Sequence, residues 1–162
     1  MHRRDGYPGK PSWRRRWNPS LMRERYEQMS PERKNVLLLL YLLGFAILTA
    51  AMYVYPVLAF IMLFGYPSGA MLFGCLTGDA IRAFLAGTFS YVFLILLILL
   101  SPGFAMYPMD TAYLARFAGY HLILPLCLGL IGWMASKKES LPRILALPLA
   151  ALWILLFLSG IS

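Results

Sequence analysis

The stretch NVLLLLYLLGFAILTAAMYVYPVLAFIMLFGYPSGAMLFGCLTG, Asn35–Gly78, runs for 44 residues without a charged side chain. About 20 apolar residues suffice to cross the hydrocarbon core of a bilayer. As one helix this stretch would reach about 66 Å at about 1.5 Å per residue, roughly twice that thickness. It must therefore turn back on itself. Two turns are available. Tyr53-Val54-Tyr55-Pro56 would separate spans at 36–53 and 57–77. Gly65-Tyr66-Pro67-Ser68-Gly69 carries the stronger local turn chemistry, and would follow one long first span.

The rest of the chain offers plainer segments. Residues 83–100 form an apolar run stopped by Ser101-Pro102-Gly103. Residues 119–136 form another, with Asp110 as the expected cap of the helix leading into it and a kink at Pro125. After Lys137-Lys138-Glu139, Ser140 caps a last span at 142–160, with Pro142 in its tolerated first turn.

Loop charge decides between the topologies. With the N-terminus cytoplasmic, five spans put Arg82, Lys137, Lys138 and Arg143 inside and only Arg116 outside. Four spans would move Lys137, Lys138 and Arg143 outside. The expectation is therefore an all-α, polytopic helical membrane protein with five transmembrane helices, four being the alternative. Its cost is that Gly65–Gly69 falls inside the second span and is expected to break that helix.

Composition agrees with a membrane class. Of the 162 residues, 60% are hydrophobic and 14% charged. A soluble domain is nearer 45–50% and 25%, so an ordinary soluble globule is excluded. The net charge of +8 is concentrated at one end: residues 1–34 hold ten of the 15 basic side chains and four of the seven acids. The chain thus divides into a basic cytoplasmic tail, 1–34, and an apolar bundle, 35–162. Within the tail, Met22, Tyr26 and Met29 recur at helical spacing after Ser20, a candidate N-cap, as in a short amphipathic helix at a membrane surface. Ser30-Pro31-Glu32 marks the next helix start. The basic region is too long, and the apolar run after it too long again, for a secretory signal peptide. Arg14-Arg15-Arg16 is followed by Trp17-Asn18-Pro19 rather than the apolar stretch of a twin-arginine signal.

Chemistry-bearing motifs are sparse. There is no His-Glu-x-x-His, no Gly-x-Ser-x-Gly and no phosphate-binding loop. Cys75 and Cys127 read as small packing residues. Met106 and Met109 are too few for a copper site. No catalytic residue, cofactor or metal site is expected. Three polar residues within or beside the spans stand out: Asp79 and Arg82, three apart and so on one helix face, and His121, expected to bond a neighbouring carbonyl. Gly65, Gly69, Ala70, Gly74 and Gly78, four residues apart or adjacent, form a small-residue ridge for helix packing.

The function these features suggest is a non-catalytic integral subunit of a larger inner-membrane assembly, either a secretion or conjugation machine or an energy-transducing complex. It would anchor in the bilayer and pack against partner helices. Trp13, Arg14, Arg15, Arg16 and Trp17 would contact anionic lipid or an acidic protein surface. Nucleic acid is disfavoured, since no nucleic-acid-binding fold accompanies them. The alternative is a small oligomeric transporter or channel using the broken Gly65–Gly69 segment with Asp79 and Arg82.

Overall fold

The computed structural model describes residues 19–55, 57–100 and 111–159. All the elements among them are helices: α1 (Pro19–Glu27), α2 (Pro31–Val54), α3 (Val57–Thr77), α4 (Ala80–Leu100), α5 (Thr111–Ser136) and α6 (Ser140–Ser159). Five of these, α2 to α6, are long and apolar enough to cross a membrane.

Local chemistry sets the helix ends. Ser30 accepts a hydrogen bond from the Arg33 backbone N–H, Pro31 occupies the first turn and Glu32 lies near the positive end of α2. Tyr55 closes α2 through its N–H to the Ala51 carbonyl, and α3 begins at Val57. The connection in the long uncharged stretch thus falls between Val54 and Val57. In the tail, α1 already includes Pro19 and Ser20, so Ser20 lies within its first turn rather than capping it.

The expected break at Gly65–Gly69 is absent, because α3 runs helically through it with Pro67 inside. Inside so apolar a bundle the turn-prone residues would have no water to satisfy an opened backbone, so the helix persists. Ser68 helps, donating its hydroxyl to the Phe64 carbonyl one turn back. Pro67 is itself buried.

Helix α5 is the hub, packing against α3, α4 and α6, while α2 leans on α3 and α4. The backbones come very close where glycines face carbonyls. A methyl group on Gly87 would overlap the Leu128 carbonyl oxygen, one on Gly132 that of Ala83, and one on Gly74 that of Gly132. Small residues let helices approach this way, gaining dispersion contacts that lipid cannot replace. The core beside these crossings includes Tyr66, Tyr91, Leu124, Leu128, Ile131 and Trp153, all nearly inaccessible.

Aromatic tips in this core are tied helix to helix. Tyr66 and Thr49 share a hydroxyl–hydroxyl bond of 2.7 Å, linking α3 to α2. Trp153 Nε1 donates to the Leu124 carbonyl at 3.0 Å, and the Tyr120 hydroxyl lies within bonding distance of the Leu156 and Phe157 carbonyls, joining α6 to α5. Such bonds contribute about 0.6 kcal/mol each on average within membranes.

Burial is uneven. Along α3, 39% of the span is buried; along α2, 6%. The N-terminal span is a peripheral helix showing Leu39, Leu40, Leu43 and Ile47 outward.

Candidate functional site

The antiparallel run of spans brings one set of helix ends together: the starts of α2, α4 and α6 and the finishes of α3 and α5. Helix α1 packs against α3 at this end. Among the described residues every charged side chain but Arg116 belongs to α1 or to this end.

Arg23 of α1 is the centre of the arrangement. Its guanidinium donates to the Ser136 carbonyl at 2.9 Å and to the Gly78 carbonyl at 3.4 Å. These carbonyls terminate α5 and α3, where the last turns leave acceptors without helical partners and the helix dipole is negative. Glu27 pairs with Arg23 at 3.5 Å from the next turn of α1. Gly78 has φ of +66°, a left-handed conformation that ends α3 with its N–H on the Gly74 carbonyl. A side chain there would also strike the Arg23 guanidinium. Arg143 repeats the pattern, its Nε donating to the Lys137 carbonyl at 2.6 Å.

Asp79 lies between α3 and α4, and Arg82 in the first turn of α4. Asp79 caps α4, one carboxylate oxygen accepting from the Arg82 backbone N–H at 3.1 Å. The other pairs with the Arg82 guanidinium, which also donates to Asn35 Oδ1 at the start of α2. This pair therefore joins three helices at the bundle's end. Burial pushes the Asp79 carboxyl up, but bonding to the Arg82 backbone and guanidinium outweighs it and holds the group below its ordinary value. Tyr26, also buried, is pushed up by burial and by the Asp79 charge, against the opposing pull of Arg82. Lys34 lies over the Tyr26 ring at 5.3 Å and donates to the Glu27 carbonyl.

His121 is elsewhere. It sits 15 residues before Ser136 on α5, about 22 Å along the helix from the charged end. Its Nδ1 lies 3.3 Å from the Tyr91 hydroxyl of α4, and its ring packs on Phe117 with centroids 4.1 Å apart. Its partner is thus a phenol, not the carbonyl expected. Asp79 and Arg82 are together, and His121 is not with them.

The small-residue ridge meets several neighbours. Gly69 faces Phe45 and Tyr41 of α2, Ala70 is fully buried, and Gly74 faces α5. A methyl on Gly65 would meet only Met62 of its own helix, and Gly78 serves the turn rather than a helix crossing. The ridge is used inside the bundle. Gly87, Gly129 and Gly132 do the same work on α4 and α5; Ala83-x-x-x-Gly87 is their signal in the sequence. Arg23 carried a weaker signal, three residues before Tyr26 and hence on its face. Trp13, Arg14, Arg15, Arg16, Trp17, Met106, Met109 and Asp110 lie outside the described residues.

Between α1, α2 and α3 lies an open groove of about 610 Å³, lined by Met22, Arg25, Tyr26, Met29, Leu37, Leu40, Tyr41, Phe73, Leu76 and Thr77. The apolar stripe Met22, Tyr26, Met29 therefore faces the bundle. No group of three or more His, Cys, Asp or Glu able to hold a metal occurs among the described residues. No protein-family model, curated protein or solved structure matches the chain.

Proposed function

We propose that the protein is a non-catalytic integral membrane subunit that fixes a basic segment, residues 1–34, at one face of a bilayer for an acidic partner. The observation that supports this reading is the Arg23 clasp. It ties α1, which carries Arg23 and Arg25, to the ends of two spans. A cation on two helix C-termini, with a carboxylate behind it, gives α1 a set position. The outward apolar face of α2 is available to lipid or to partner helices. The larger assembly would be of the inner-membrane kind, a secretion or conjugation machine or an energy-transducing complex.

The test is purification of the full chain in mild detergent with native mass spectrometry. The expected result is a defined complex with at least one further membrane subunit. Replacing Arg14, Arg15 and Arg16 by glutamate should dissociate it, while the detergent-solubilised chain itself stays folded. A monodisperse single chain from native membranes, unchanged by that replacement, would overturn the proposal.

A further inference from the structure

The groove between α1, α2 and α3 has a shape and charge that suit one kind of occupant. Its walls on the spans are apolar: Leu37 and Leu40 on α2, Phe73 and Leu76 on α3. Leu37 to Tyr41 lie about 9–15 Å into α2 from Pro31, the depth of one leaflet of acyl chains. At the membrane-surface end the groove is bounded by α1, which brings Arg25, the single charged residue in its lining. Among the described residues no carboxylate pairs with Arg25, whereas Arg23 is engaged by Glu27 and Arg82 by Asp79. The volume of about 610 Å³ lies within the usual range for small-molecule sites, roughly 300–1,000 Å³.

We propose that this groove holds one acyl chain of an anionic phospholipid, with the lipid phosphate on Arg25. A guanidinium matches phosphate geometrically and bonds it with charge assistance. A spanning partner helix, about 10 Å across, would have to displace α1 from the mouth of the groove; an acyl chain that ends at a headgroup beside Arg25 does not. The site is independent of the proposed protein partner: it requires only that the bundle lie in a bilayer.

The full chain, reconstituted in nanodiscs containing phosphatidylglycerol and phosphatidylcholine with identical acyl chains, is released into the gas phase and its retained lipids weighed. Both lipids carry the phosphate, but the choline ammonium of phosphatidylcholine repels Arg25, so phosphatidylglycerol should be held about threefold more strongly, the scale of an exposed ion pair. Arg25→Gln should remove the preference, and Arg25→Lys should restore part of it. Leu37→Trp, filling the groove, should reduce retention of both lipids. A photoreactive side chain at position 40 should yield a lipid adduct. Equal retention of the two lipids, or an unchanged preference in Arg25→Gln, would overturn the proposal. So would an adduct to residues 1–18 of the same chain, to a second copy or to another protein, since each names a different occupant.

Discussion

Arg23 and Asp79 show how much depends on single side chains where helix ends are crowded. Arg23 reaches acceptors 55 and 113 residues away. Hydrogen bonds to charged groups contribute about 1.5–3 kcal/mol, so Arg23→Ala should lower stability by about that amount. Hydrogen exchange should show the α1 amides losing protection while those of α5 keep theirs. Asp79 gives a pH prediction of definite sign. Its folded pKa lies below its ordinary value, so the stabilisation is complete above the unfolded carboxylate pKa of about 3.9 and is lost as pH falls through the lowered value. Asp79→Asn keeps a capping oxygen but loses the charge. The variant should therefore be less stable at neutral pH yet lose less on acidification, measured as detergent unfolding at pH 7 and pH 3. The pairing of Asp79 with Arg82 is legible from their spacing alone. The clasp is not, because nothing near Arg23 in the chain names the carbonyls it meets.

At the scale of elements, the helix boundaries are written in neighbouring residues and so can be read directly. Ser30-Pro31-Glu32 starts a helix, Gly78-Asp79 ends one and caps the next, and Lys137-Lys138-Glu139 interrupts the apolar pattern. The Gly65–Gly69 segment misleads for the same reason. Its turn chemistry is real in water, but inside a bundle the cost of exposed backbone decides, and α3 stays helical. Which glycine meets which helix is a tertiary matter, and among the described residues three of the five helical glycines that closely meet another helix, Gly87, Gly129 and Gly132, lie outside the ridge that spacing picks out. Gly87→Leu and Gly44→Leu separate packing from propensity. A side chain at Gly87 meets the Leu128 backbone, whereas Gly44 has open space. Gly87→Leu should destabilise the bundle by at least the about 1–3 kcal/mol typical of overpacking, and Gly44→Leu should be neutral or better, both followed by thermal unfolding in detergent.

The whole molecule is polarised. One end gathers α1, the charged turns and three helix starts; at the other, among the described residues, stands Arg116. With the positive-inside tendency, the charged end should face the cytoplasm and Ser159 the opposite side. A phosphatase fused after residue 162 should be active and a fluorescent protein there dark in a bacterial host; the reverse would turn the molecule over. Five antiparallel helices long and apolar enough to cross a membrane would leave the start of α2 and the end of α6 on opposite sides of it, and charge sets which side is which.

The order of anchoring along the chain has a mechanical meaning. The least embedded span, α2, lies between α1, held by Arg23, and the well-buried α3. A load on the basic segment reaches the clasp first and passes through Arg23 into the ends of α3 and α5, bypassing α2. The clasp acts as strain relief, much as a cable clamp guards a soldered joint. Pulled from its N-terminus in a bilayer, the wild-type chain should yield in a first step that extends α1 alone, and Arg23→Ala should merge that step with the extraction of α2.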